Sequence, residues 1–172
     1  MADPNIDPEQ LALAAATLIE GVQIPGWDHG IGVVVTDEKF TEDNAEELLR
    51  LLAGKSEDKK PRGVVISWEE IPAQSDEGDC QVNTTYGFTV VMFWPFGVGT
   101  AELTSTRLFK RMIFWINEKL NANIDLGFGD LVRHKCLQSS GPFDFCEWGK
   151  APVGGMSHYS ENDLDIVVEN YY

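Results

Sequence analysis

The stretch from Gln81 to Trp94 constrains the fold of this chain more than any other. It reads QVNTTYGFTVVMFW, so its even-numbered positions are mostly apolar, while its odd-numbered positions begin with polar residues and glycine. Successive side chains of a β-strand point to opposite faces of a sheet, and a period of two therefore predicts a strand with one face toward a core. The sequence predicts one long strand on which the neighbouring segments pack.

The segments on either side of this stretch predict a strand and a helix. Arg62 to Ile71 (RGVVISWEEI) has the composition of a strand. Because antiparallel neighbours need only a loop between them, we predict a hairpin with Gln81 to Trp94. Thr104 to Leu120 predicts a helix with Thr104 or Ser105 as its N-cap. Its apolar residues recur at spacings of three and four and are predicted to cover the sheet: Leu108, Met112, Trp115, Ile116 and Leu120.

The remaining elements are shorter. A capping-box pattern from Asp7 to Gln10 predicts a helix that ends near Gly21, and Thr41 predicts the N-cap of a second helix that ends at Gly54. Further strands are predicted at Ile31 to Val35, Leu131 to Leu137 and Asp163 to Tyr172, with an aromatic loop from Ser139 to Gly155. We therefore predict an α+β fold, a mainly antiparallel sheet with helices packed on one face, in a single domain spanning residues 1–172.

Composition and charge exclude several classes of protein. With 43% hydrophobic and 24% charged residues, the chain has the composition of a soluble globular protein. Its net charge of −15 repels nucleic acids and anionic membranes, so no tight nucleic-acid binding is predicted. No apolar run is long enough to cross a membrane, and the N-terminus lacks the pattern of a signal peptide. Three cysteines without a close pair favour reduced thiols in a cytosol, although one bridge remains open.

No catalytic, cofactor or metal site is predicted. The sequence has neither a G-x-S-x-G nor an H-E-x-x-H motif, and its Gly-rich segments match neither a phosphate loop nor a dinucleotide fingerprint. His134, Cys136 and Cys146 match no common zinc spacing. Glu69 and Glu70 are adjacent on a predicted strand and point to opposite faces, so they cannot act as a catalytic pair. The chain is therefore predicted not to be an enzyme.

Two groups of residues are candidates for contacts between subunits. The aromatic side chains of the segment from Phe93 to Phe96 cannot all point toward the core, because neighbouring strand residues face opposite sides. Exposed apolar surface usually marks an interaction site. A basic patch on the predicted helix is unusual in such an acidic chain, although solvated surface charge is the simpler interpretation. The candidate interface residues are Phe93, Trp94, Phe96, Arg107, Lys110 and Arg111. The predicted loop from Pro72 to Cys80 is long enough to project, and its acidic residues are Asp76, Glu77 and Asp79.

The order of these elements resembles the tail-terminator, or tail-completion, family of long-tailed bacteriophages. The likeness is strongest over the strand–strand–helix unit from Arg62 to Leu120 and includes the N-terminal helix and the closing strand DIVVENYY. The resemblance implies a small α+β virion protein without enzymatic activity or cofactor. It also implies a homohexameric ring at the head-proximal end of the tail tube, which stops tube polymerisation and joins the tail to the neck.

The resemblance also implies partners and positions. The partners are further copies of the chain, a tail tube or sheath protein, and a neck or connector protein, in a virion assembled in the host cytoplasm. DNA would pass through the ring, and Asp76, Glu77 and Asp79 would face the lumen, where carboxylates repel phosphate. The basic patch and the apolar cluster would form the contacts between subunits.

Three alternatives remain open. The chain could be another phage neck, connector or tube-end protein. It could be a small cytosolic α+β enzyme or ligand-binding domain with a pocket near His134, Cys136 and Cys146. It could also be an adaptor or immunity-type protein whose acidity blocks a basic partner.

Overall fold

Helices and strands alternate in the first third of the chain, and two groups of consecutive strands, separated by one long helix, follow. The computed structural model describes residues 6–68, 73–76, 81–134, 138–139, 144–148 and 155–171. The helices are α1 (Pro8–Glu20), α2 (Glu42–Gly54) and α3 (Ser105–Asn121). The strands are β1 (Gly32–Thr36), β2 (Gly63–Trp68), β3 (Ala73–Asp76), β4 (Gln81–Pro95), β5 (Val132–His134), β6 (Gln138–Ser139), β7 (Asp144–Trp148) and β8 (Gly155–Tyr171).

The long strand predicted from the sequence, β4, lies in the middle of one sheet. The order is β1-β2-β4-β8-β5, with β3 beside β4, and with β6 and β7 beside β8. Only β1 and β2 run parallel in the described part of the chain; the other pairs are antiparallel. β4 pairs with β8 from Gln81 opposite Tyr171 to Pro95 opposite Ser157. The predicted α+β class and the hairpin partnership of β2 and β4 are confirmed.

Both faces of the central strands are covered. Val90, Met92 and Trp94 pack in a core with α1 and α3, whereas Val91 and Phe93 pack in a second core with α2. The prediction that all helices pack on one face is therefore wrong for α2. The physical reason is that β4 becomes apolar on both faces in its second half, so its odd-numbered side also has to be buried.

Two segments predicted as loops contain strands. Ala73–Asp76, inside the predicted projecting loop, pairs antiparallel with β4 as β3. Asp144–Trp148, inside the predicted aromatic loop, pairs with the first part of β8, which begins at Gly155 rather than at Asp163. The long strands β4 and β8 offer backbone groups beyond the ends of their main partners, and these groups need hydrogen bonds when they are buried. The short strands supply them.

The ends of the helices follow the sequence signals. Asp7 caps α1: its Oδ1 accepts a hydrogen bond of 2.8 Å from the backbone N–H of Gln10, and Gln10 Oε1 accepts one of 3.1 Å from the N–H of Asp7. Thr104 Oγ1 accepts a bond of 3.3 Å from the N–H of Arg107 and caps α3. The predicted capping box of α1 and all three predicted helix starts, at Asp7, Thr41 and Thr104, are confirmed.

Candidate functional site

Helix α3 carries aromatic and basic side chains on the side that faces away from the sheet. Its core side is formed by Leu108, Met112, Ile116 and Leu120, each fully buried. We call the opposite side the outer α3 face; it consists of Arg107, Lys110, Phe114, Trp115 and Glu118. Phe114 is 55% exposed and Trp115 38% exposed, and their rings meet edge to face at 5.4 Å between centroids. Large exposed aromatic side chains next to charged ones are typical of protein contacts.

The structure corrects the assignment of Trp115 and adds Phe114. Trp115 was predicted to face the sheet with Met112 and Ile116, but it lies at the margin of that stripe and is partly exposed. Phe114 follows Met112 by two residues, about 200° around the helix axis, and therefore points away from the core. The two-residue spacing from Met112 is the sequence signal from which the exposure of Phe114 could have been predicted.

The three basic residues predicted to contact a neighbouring subunit differ in their exposure and in their contacts within the chain. Arg107 and Lys110 are exposed on the outer α3 face. Arg111 is largely buried, and its Nη1 donates a hydrogen bond of 2.6 Å to the carbonyl oxygen of Pro25. This hydrogen bond joins α3 to the turn after α1 within the same chain. The exposed basic patch on α3 therefore contains fewer residues than predicted.

The prediction that Phe93 and Trp94 contact a neighbouring subunit is wrong. Both side chains are fully buried inside the chain, in the two different cores. They were predicted to be exposed because adjacent strand residues point to opposite faces, but helices cover both faces of β4 at this point. Phe96, just beyond the strand, is 57% exposed and remains a surface candidate.

The acidic residues predicted to face a lumen are only partly described. Asp76 ends β3 opposite Val82, so its backbone belongs to a strand rather than to a projecting loop. Glu77 and Asp79 lie outside the described residues. A lumen-facing position for these carboxylates stays a prediction.

Helix α2 exposes a mainly acidic surface on the other face of the sheet. We call it the outer α2 face; it consists of Asp43, Glu46, Glu47 and Leu51, together with Lys55 just after the helix. Leu51 is 51% exposed, and with Leu13 of α1 it borders a groove of about 400 Å³ whose lining includes residues 33–35 of β1. This groove gives the acidic surface an apolar border.

A cleft of about 420 Å³ lies beside Arg62. The Arg62 guanidinium is 4% exposed and stacks over the rings of Trp27 and Trp94, 4.7 and 5.4 Å from their centroids. Its Nη1 lies 3.2 Å from Asp58 Oδ2. Burial tends to raise the pKa of the Asp58 carboxyl, but the hydrogen bond from the Lys60 N–H and the charge of Arg62 together hold that pKa below its ordinary value.

The charges around this cleft are largely compensated inside the chain. Arg62 is paired with Asp58, and Lys55 Nζ lies 3.8 Å from Glu20 Oε1. His29 Nδ1 lies 3.4 Å from Glu57 Oε2. The Nε of Arg62 has no hydrogen-bond partner among the described residues and is itself buried. Arg62 therefore joins two aromatic side chains in the wall of the cleft and presents little positive charge to an anionic ligand.

Ser105 and His158 form a buried hydroxyl–imidazole pair. His158 Nε2 lies 2.9 Å from Ser105 Oγ, which also accepts a bond of 3.1 Å from the N–H of Gly97. The imidazole is 1% exposed and stacks on Phe109 at 5.5 Å. A nucleophile has to reach its substrate, and both members of this pair are enclosed by the core. The pair therefore fixes the start of α3 against β8.

Burial of His158 predicts a loss of stability in mild acid. Burial lowers the pKa of His158 below its ordinary value of 6.5. Below that value the unfolded chain binds the proton more readily than the folded chain, so this contribution to the free energy of unfolding is complete above pH 6.5 and decreases as the pH falls toward the lowered pKa. Urea denaturation of the wild type and of His158→Gln at about pH 7.5 and about pH 5.5 measures the effect. The variant should lose less stability than the wild type; equal losses would contradict the assignment.

The described geometry does not bring together His134 and Cys146, two of the residues proposed for an alternative ligand pocket. His134 is buried, and its Nε2 lies 2.7 Å from the carbonyl oxygen of Leu120, which can only accept a hydrogen bond. Cys146 is a residue of β7, and Cys136 lies outside the described residues. Among the residues that are described, no three His, Cys, Asp or Glu side chains are grouped as metal ligands.

Comparisons with known proteins do not assign the chain to a family. It matches no protein-family model, and no curated protein shows significant sequence similarity to it. None of the helices in the described ranges combines the length and apolar character needed to cross a membrane. The fold and the exposed surfaces of α2 and α3 are the features of the chain that bear on its function.

Proposed function

We propose that this protein is a structural component of a bacteriophage tail that assembles into a ring at the head-proximal end of the tail tube. In that position it ends tube polymerisation and joins the tail to the neck. The observation that carries the proposal is the outer α3 face, where Phe114 and Trp115 are exposed beside Arg107 and Lys110. Burial of such a surface between copies would remove apolar area from water.

The charge of the chain supports the same function. A ring through which DNA moves has to avoid holding phosphate groups, and a net charge of −15 opposes such binding. The succession of elements from β2 through β4 to α3, with a closing strand at the C-terminal side, is the order on which the tail-terminator resemblance is based. The proposed activity is therefore assembly, without a chemical step.

The proposal predicts the length of tails made without this protein. Tails assembled in its absence should be longer than normal and variable in length, because nothing stops the addition of tube subunits. Electron microscopy of tails from cells that do or do not supply the protein measures this. Normal-length tails without heads would favour the alternative of a neck connector, and a protein that stays monomeric and never binds tubes would contradict both functions.

A matched pair of surface variants tests, in the same experiment, whether the outer α3 face is needed for normal tail length. Phe114→Ser should fail to restore normal tail length, since it removes exposed apolar surface from the outer α3 face. Ile124→Ser removes a similarly exposed apolar side chain after α3, outside the proposed contact surfaces, and serves as the control for a general loss of surface hydrophobicity. Thermal unfolding of both variants establishes that each one is folded.

A further inference from the structure

Helices α2 and α3 expose surfaces of opposite charge on opposite faces of the sheet. The first half of α2 exposes Asp43, Glu46 and Glu47, and the first half of α3 exposes Arg107 and Lys110. Arg50, a cation on α2, lies 3.3 Å from Glu46 and offsets only part of this acidity. A contact between the two surfaces is possible only between different copies of the chain, because the sheet separates them within one copy.

The spacing of residues on the two surfaces also matches. On α2, exposed Leu51 stands four residues after Glu47 and four residues before Lys55. On α3, exposed Phe114 stands four residues after Lys110 and four before Glu118. Four residues correspond to about 6 Å along a helix and bring the side chains to nearly the same side. The two helices thus share one pattern of charged, apolar and charged side chains, with the signs of the charges reversed.

We infer that, in the proposed ring, α3 of one copy packs parallel to α2 of the next. This inference rests on the proposed function and names the surfaces by which its subunits join. The pairs that this register brings together are Lys110 with Glu47, Phe114 with Leu51, and Glu118 with Lys55. Lys55 also lies near Glu20 of its own chain, with 3.8 Å between Nζ and Oε1, so Glu118 would share its charge. Because the two surfaces differ and lie on opposite faces of the sheet, the contact is heterologous, and such contacts close into rings rather than twofold dimers when the rotation allows it.

The groove beside α2 accommodates the aromatic part of this contact. It has a volume of about 400 Å³, and Leu13 and Leu51 on its borders are about half-exposed. In the inferred register Phe114 reaches Leu51 at the border of the groove. Covering Phe114, Leu51 and Leu13 together would give the contact a dry centre, with the charged pairs at its rim.

A charge-swap experiment tests the contact. Lys110→Glu and Glu47→Lys should each raise the dissociation constant for self-association about tenfold or more, because each places like charges opposite one another. The double variant should return to within about threefold of the wild type, since it restores an opposite pair. Sedimentation velocity of the full chain at low and physiological salt measures both effects. Arg133→Glu makes the same charge change at an exposed position on β5 and should leave assembly unchanged.

A second set of variants tests the apolar part of the contact. Phe114→Ser and Leu51→Ser should each weaken self-association, whereas Ile124→Ser, at a residue with similar exposure, should not. If rings form and the double charge variant is no better than the single ones, the inferred register is overturned while the proposed function stands. If the wild type does not self-associate, the inference is also overturned, and the tail-length experiment then decides the proposed function separately.

Discussion

Replacing Trp94 with alanine is expected to lower the free energy of unfolding by about 3–5 kcal/mol. The side chain is fully buried, and its Nε1 donates a hydrogen bond of 2.8 Å to the carbonyl oxygen of Val98. Its ring meets Trp27 edge to face at 5.0 Å and lies 5.4 Å from the Arg62 guanidinium. The substitution leaves a cavity, removes a donor from a carbonyl group and deprives a buried cation of one of its two aromatic neighbours.

Urea denaturation followed by circular dichroism measures this change without depending on tryptophan fluorescence. Phe96→Ala is the control, since Phe96 is 57% exposed only two residues further along the chain. Its free energy of unfolding should change by no more than about 0.5 kcal/mol. Equal losses of unfolding free energy in the two variants would contradict the contribution to core packing that is assigned to Trp94.

Replacing Gly63 with alanine is expected to cost about 2–4 kcal/mol, through backbone strain and a direct clash. Gly63 has a φ angle of +140°, which side chains of L-residues rarely adopt. A Cβ atom at this position would lie 2.0 Å from the carbonyl oxygen of Gly32, its partner in the parallel pairing of β1 and β2. Because the obstacle is backbone, the two strands would have to separate.

Thermal unfolding gives the corresponding readout. The midpoint of Gly63→Ala should fall by about 5–15 °C, the range expected for a chain of this length. Gly54→Ala is the matched control, because Gly54 is the last residue of α2 and a Cβ atom there would meet nothing within 4 Å. That variant should be unchanged or up to about 1 kcal/mol more stable, since alanine favours a helix. A Gly63→Ala protein as stable as the wild type would contradict the described strand register.

The residues of the outer α3 face could be predicted only in part from the sequence. The spacing of Leu108, Met112 and Ile116 was sufficient to predict the side of α3 that packs on the sheet. The same spacing places Phe114 away from the sheet, although Trp115, at the margin, was assigned to the wrong side. The inferred contact between α3 and α2 of neighbouring copies could not be predicted from the sequence, because it depends on α2 lying on the opposite face of the sheet.

Local alternation is enough to predict the strand that carries Phe93 and Trp94, but not the burial of both side chains. The alternation along Gln81 to Trp94 determined that one long strand forms and that its neighbouring side chains point to opposite faces. The caps of α1 and α3 and the apolar stripe of α3 were determined locally in the same way. Such features depend on residues within a few positions of one another.

Whether the second face of β4 is exposed or buried depended on a distant segment. Helix α2 covers Val91 and Phe93 from a position about forty residues earlier in the chain, and no local spacing determines the face on which it packs. The short strands β3 and β7 likewise form only because β4 and β8 extend beyond their main partners. Local periodicity thus determined the elements and their apolar sides, while long-range packing decided which of those sides stay exposed for a partner.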